Sequence, residues 1–259
     1  MSFQKKYIES VKQLRMIPLE ERYKFYIVRP LLNKKVIFSR QNEELCDRKH
    51  IEAKGIVCHP FWEDDGFNGK ELDSEGRAFA EYRKIYPNFD LMMRQEALAR
   101  LACAQQSLPK GVAIVLKAAV RPVSVQRRVF EEELRNTQKL YPTWDKDAAY
   151  YHTLEFVTDP SVNMPPHASG GTIDVLLRDI GSGRDMDMGS PINAVHDLSW
   201  SANTDGLSAE QVRNRTILRE VMLGAGFAPL ASEWWHFSFG DQRWAVYYDQ
   251  SKALYGPVD

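Results

Sequence analysis

Residues 231–240 read ASEWWHFSFG: the aromatics Trp234, Trp235, Phe237 and Phe239 surround one carboxylate, Glu233, and one imidazole, His236. Aromatic density of this kind marks a strand packed on a core. Glu233 and His236 are costly to bury there unless a partner offsets their desolvation. The stretch therefore sets two expectations: a β-strand, and a charged group that meets it.

Working outward, the preceding segment SAEQVRNRTILREVMLGAGF has helical spacing. Ser208 with Gln211 has the form of a capping box, and Gly224 and Gly226 supply stop signals. The following residues, up to WAVYYDQ, continue the strand-like aromatic character. Upstream, GTIDVLLRD and VAIVLKAAVRP read as strands, the second stopped by Pro122. SVQRRVFEEELRNTQKLYP reads as a helix, and so does NFDLMMRQEALARLACAQQSLPKG, with Asp90 as its expected cap. His152, in YYHTLEF, alternates like a strand residue and carries no functional expectation. Residues 4–25 show helical spacing at Tyr7, Ile8, Val11, Leu14 and Ile17, ended by Pro18. FYIVRPLLNKKVIFS suggests short extended segments, and Asp65-Gly66 and Asn68-Gly69 suggest turns. Helices and strands thus alternate irregularly, which favours an α+β fold over a doubly wound sheet. Residues 1–80 are expected to form an N-terminal extension on a main domain at 81–259.

The net charge of −1 over 259 residues supplies no field for nucleic acid or an anionic membrane. The most apolar run, GVAIVLKAAV, is too short to span a bilayer. Cys46, Cys58 and Cys103 lack C-x-x-C spacing, so neither a disulfide framework nor a four-cysteine zinc site is suggested. Cys103, in an Ala/Leu-rich pattern, is expected to be buried. Free thiols and the lack of a secretory h-region give a cytoplasmic expectation.

Polar residues concentrate in three places: PPHASGGTIDVLL, with His167 and Asp174; EWWHF; and AAVRPVSVQ, with Arg121. Two imidazoles and a carboxylate suit Zn²⁺, and three protein ligands leave a position for water. Asp174 sits between Ile173 and Val175, where an unpaired carboxylate is costly. Gly170-Gly171 lets the chain turn between His167 and Asp174. Glu233 is the candidate base beside the metal, and Arg121 can hold an oxyanion or a substrate carboxylate. Residues i and i+3 of a regular strand face opposite ways, so Glu233 and His236 serve one site only if the chain bends or bulges near Trp234–Trp235, or if Glu233 precedes the strand. Residue spacing alone leaves hydrogen-bonded structural histidines as an equal reading, with His50, His59, His152 and His196 competing.

His167-x6-Asp174, Glu233-Trp-Trp-His236 and the upstream Arg-Pro, with MGSPIN and NRTILREVMLGAGF, resemble the zinc-dependent D-alanyl-D-alanine dipeptidases of the hedgehog/DD-peptidase superfamily. The resemblance covers approximately residues 82–250. It implies a central antiparallel sheet flanked by helices, and one zinc held by His167, Asp174 and His236. It also implies Glu233 as general base then acid, Arg121 as transition-state stabiliser, and a small peptide substrate. Pro165 stands where the family has serine, Thr172 where it has alanine, and Asn193 where an aspartate receives the substrate ammonium. These departures touch substrate contacts and leave the catalytic set intact. Two alternatives follow: a carboxypeptidase or dipeptidase acting on other peptidoglycan-derived or L-peptides, and a non-catalytic zinc-binding interaction module.

Overall fold

The computed structural model describes residues 3–32, 43–64, 74–194 and 196–258. The turns expected at Asp65-Gly66 and Asn68-Gly69, and the extended segment expected at NKKVIFS, lie outside the described residues. In chain order the elements begin with β1 (Tyr7–Ile8), α1 (Val11–Met16), β2 (Tyr26–Ile27), α2 (Arg29–Leu32), β3 (Leu45–Asp47), α3 (Arg48–Glu52), β4 (Val57–Cys58), α4 (Ser74–Ile85) and β5 (Met92–Arg94). They continue with α5 (Gln95–Gln106), β6 (Val112–Ala118), α6 (Val123–Leu140), α7 (Lys146–Phe156), β7 (Ile173–Asp179), β8 (Arg184–Asp185), α8 (Ala209–Gly224), β9 (Ala228–Leu230), β10 (Glu233–Ser238) and α9 (Gln242–Tyr247).

The α+β expectation holds, with a central sheet ordered β4-β6-β7-β10-β9 and β8 as a hairpin partner of β7. Every pairing in that sheet is antiparallel except β4 with β6 at one edge. The strands β6 and β7 are largely buried on both faces, as the continuous Val, Ile and Leu runs require. Helix α8 packs against β7 and β10, and α5 packs against α8. The Ser208–Gln211 capping box forms as expected, and Gly226, at φ 86°, lies just past the end of α8.

Several local expectations are corrected. Residues 7–8 form a strand paired in parallel with β2 rather than the start of a helix, because Ser10 caps a helix that begins only at Val11. Ile17, before Pro18, is extended and ends that helix. Asp90 does not cap α5; Met92–Arg94 first pair with β3, so the helix begins at Gln95. His152 lies on α7, where it packs on Tyr141 and Trp144. The aromatic C-terminal run changes from strand to helix at Asp241, whose carboxylate accepts a hydrogen bond from Trp244 N. Cys103 is exposed, on the outer side of α5.

The described residues among the first eighty contribute Ile51, Ile56 and Phe79 to the main core. Ile8, Leu14 and Ile27 cluster with Ala228, Val246 and Tyr247, and β4 pairs within the central sheet.

Candidate metal centre and active-site cleft

Asp174 sits near the start of β7, directly opposite Ala118 on β6 and His236 on β10. Residues paired directly across an antiparallel ladder present their side chains to the same face. The register therefore carries Asp174 and His236 to one point. His167 arrives from the single turn Pro166–Ser169, which Gly170 ends in the left-handed region at φ 76°. The turn is pinned on both sides. Arg121 N donates to His167 O, and Arg94 N donates to Gly170 O. A side chain at Gly171 has no room, since a Cβ there would lie 2.1 Å from Phe239 O.

The three ligand-type atoms of His167, Asp174 and His236 lie within 4.8 Å of one another, and all three residues are buried. His167 Nε2 is 3.2 Å from Asp174 Oδ2, and His236 Nδ1 is 3.1 Å from Asp174 Oδ1. The two rings meet edge to face, with centroids 4.9 Å apart. His167 Nδ1 lies 2.9 Å from the carbonyl oxygen of Ala119. That acceptor requires the proton on Nδ1 and leaves the Nε2 lone pair facing the cluster, the arrangement of a metal-ligating histidine. Among the described residues, Asp174 Oδ1 and His236 Nε2 are buried without an aligned hydrogen bond.

Burial works against the Asp174 carboxylate, but the two imidazoles outweigh it and hold its pKa well below the ordinary range. Burial lowers the pKa of His236 to about 4, against the opposing pull of Asp174. The imidazole is therefore neutral, as a ligand must be, at any physiological pH. A buried carboxylate beside two imidazole nitrogens fits a divalent cation of zinc type.

Glu233 is the first residue of β10, and its Oε2 lies 3.6 Å from His236 Nδ1. The ladder explains how i and i+3 converge. Glu233 pairs with Leu230 and Phe237 with Pro229, so β10 advances four residues while β9 advances one. That bulge falls in the stretch Trp234–His236, where a bend was required. Arg121 follows β6 and reaches the cluster, with Nη2 3.7 Å from Asp174 Oδ2. Its Nη1 donates to Gln126 Oε1 at 2.8 Å, and Gln126 Nε2 in turn donates to Thr158 O.

A cleft opens on these groups; His167, Asp174, His236, Glu233, Arg121 and Asn193 all line it. Asn193 adopts φ 64°, a left-handed conformation that asparagine tolerates better than most residues. The helices α6 and α7 supply another wall through Gln126, Glu133 and Glu155. Gln126, Glu133, Tyr26 and Arg243 also face the cleft and were not singled out in the sequence. Arg243 carried a faint signal, as a charge in an aromatic run; Glu133 carried none, since a glutamate on a charged helix is ordinary. The familial departure at Thr172 has a structural use: its buried hydroxyl donates to Asp241 Oδ2 at 2.8 Å.

A family model described as D-ala-D-ala dipeptidase matches residues 78–254. The chain belongs to this family. Membership makes it a peptidase. It is 39% identical over 159 residues to the D-alanyl-D-alanine dipeptidase of Escherichia coli, covering 60% of this chain and 70% of that protein. It is 31% identical to the D-alanyl-D-alanine dipeptidase of Synechocystis, covering 56% of this chain and 69% of the relative. The enzyme of the same name from Enterococcus faecium is 25% identical, with 69% and 82% covered. No helix among the described residues is long and apolar enough to cross a membrane.

Proposed function

We propose that this chain is a zinc-dependent dipeptidase that hydrolyses D-alanyl-D-alanine or a closely related dipeptide. The observation that carries the reading is the convergence of His167, Asp174 and His236 within 4.8 Å, beside a glutamate not needed to hold a metal. The three residues would hold one Zn²⁺, which supplies Lewis acidity that makes water a nucleophile at neutral pH and polarises the scissile carbonyl. Glu233 takes the proton from the attacking water as the new C–O bond forms. It then delivers that proton to the departing amine nitrogen as the C–N bond breaks, giving two amino acids. Arg121, oriented by Gln126, offers its fixed charge to the developing oxyanion. Asn193, on the cleft wall, is placed to contact the substrate, and as a neutral amide it holds an α-ammonium less strongly than a carboxylate does.

We take residues 81–259 as the catalytic unit and residues 1–80 as an extension that adds Tyr26 to the cleft wall. The free thiols of Cys46, Cys58 and Cys103 support a cytoplasmic compartment.

The test is a substrate panel on zinc-replete protein: free D-Ala-D-Ala, a muropeptide ending in D-Ala-D-Ala, and L-Ala-L-Ala. Turnover confined to the free D,D-dipeptide is expected. Turnover of another member without the first makes this a carboxypeptidase or an L-dipeptidase. No turnover of any member, with zinc bound stoichiometrically, leaves a non-catalytic zinc-binding module.

A further inference from the structure

Four arginines are buried among the described residues, and three have protein acceptors. Arg94 donates to Ser169 O and Glu43 O. Arg121 donates to Gln126, and Arg215 to Met188 O and Ser190 Oγ. The fourth, Arg243, is 8% exposed and lines the cleft with Glu233 and His236. Its Nε is buried, and its guanidinium has neither hydrogen bond nor ion pair among the described residues. Its guanidinium carbon lies over the ring of Tyr26, 5.5 Å from the centroid. Stacking of this kind offsets only part of the cost of burying a cation.

The support beneath Arg243 is rigid. Asp241 caps α9 through Oδ1, which accepts from Trp244 N at 2.7 Å, while its Oδ2 accepts from Thr172 Oγ1. Thr172 directly precedes β7, the strand that carries Asp174. The helix bearing the free guanidinium is thereby tied to the strand bearing the metal-ligand carboxylate.

We propose that Arg243 receives the free terminal carboxylate of the substrate. The proposal rests on the dipeptidase reading and deepens it. A planar fork of donors matches a carboxylate bidentately and no neutral amide equally well. A receptor fixed relative to the metal centre sets how many residues follow the scissile bond. It selects a peptide with one residue beyond that bond and rejects longer or amidated ones.

The experiment measures equilibrium binding of D-Ala-D-Ala and of its C-terminal amide to zinc-loaded Glu233→Gln protein, in which turnover is suppressed. Binding is compared with Arg243 intact, Arg243→Lys and Arg243→Gln. With Arg243 intact, the acid should bind more tightly than the amide, on the order of 10- to 100-fold, the scale of a charge-assisted pair. Arg243→Gln should erase that preference by weakening the acid alone, and Arg243→Lys should restore part of it. Equal losses for acid and amide would show that Arg243 only props Tyr26, and would overturn the proposal. So would an absence of preference, or of dipeptide binding, in the protein with Arg243 intact, whatever the variants do. Turnover of D-Ala-D-Ala by the wild-type protein, run alongside, tests the dipeptidase reading separately.

Discussion

The strand β10 buries polar chemistry on two faces, in different ways. On one, Glu233, Trp235 and His236 look into the cleft. On the other, Trp234 donates its Nε1 proton to Ser190 Oγ at 2.9 Å and carries the Arg215 guanidinium 5.4 Å from its ring. Arg215 donates from Nε to Met188 O and from Nη2 to Ser190 Oγ, its Nη1 is buried without a hydrogen bond among the described residues, and burial lowers its pKa to about 10. That face fixes the MGSPIN segment to α8. The cleft face instead gathers Asp174 between two imidazoles and 3.7 Å from the Arg121 guanidinium, together with Arg243, which has no hydrogen-bond acceptor among the described residues. A folded protein tolerates such a face when something from outside completes it. The contrast lies within one six-residue strand, so neighbouring substitutions should fail in different ways.

The largest effect should come from Asp174→Asn. It removes the anion that both imidazoles address, and zinc affinity should fall by more than the roughly 10- to 100-fold typical of losing an outer-sphere partner. Elemental analysis after gel filtration should find substoichiometric zinc and no activity. Glu233→Gln should separate metal binding from chemistry. Zinc should remain at one per chain while kcat drops on the order of 10²- to 10⁴-fold. Unchanged activity with zinc bound would remove Glu233 from the mechanism.

Acid should expose the cleft face in the metal-free protein. The imidazole of His236 titrates near 6.5 when unfolded and about 4 when folded. Between those values the unfolded chain holds the extra proton, so stability rises with pH across that window and is complete above it. The loss on going from pH 7 to pH 4 should reach about 3 kcal/mol from this group. His236→Gln should flatten that part of a denaturation profile, and an unaltered profile would contradict the assignment.

Gly171→Ala should cost about 1–3 kcal/mol, by forcing Phe239 O away from the new methyl group. Because Gly171 separates His167 from Asp174, two of the proposed ligands, zinc affinity should weaken with it. On the opposite face, Ser190→Ala strips an acceptor from both Trp234 and Arg215 and should cost about 1–3 kcal/mol. Zinc stoichiometry should stay unchanged there. If Ser190→Ala released zinc as readily as Asp174→Asn, the two faces would not be independent.

Much of this was legible in the chain itself. The apolar runs of β6 and β7, the Ser208–Gln211 box and the imidazole and carboxylate pattern around His167, Asp174, Glu233 and His236 are short-range signals. The first two depend on residues within a turn or a strand of one another and named their elements correctly; the third singled out residues that line one cleft. The failures were also local in origin. Met92–Arg94 have helical neighbours but pair with β3 from far upstream, and His152 alternates like a strand residue while lying on α7. Long-range pairing and packing override propensity at such places.

Sequence alone therefore determined the α+β class, the residue types that could meet at a metal and the requirement that the chain bend near Trp234. Only tertiary structure decided that Asp174 stands opposite His236, that the bulge in β10 turns both Glu233 and His236 toward one point, and that Arg243 shares their cleft. The reason is physical. Residue identity fixes what a side chain can donate, accept or ligate, whereas register between strands distant in sequence fixes which of those capacities meet.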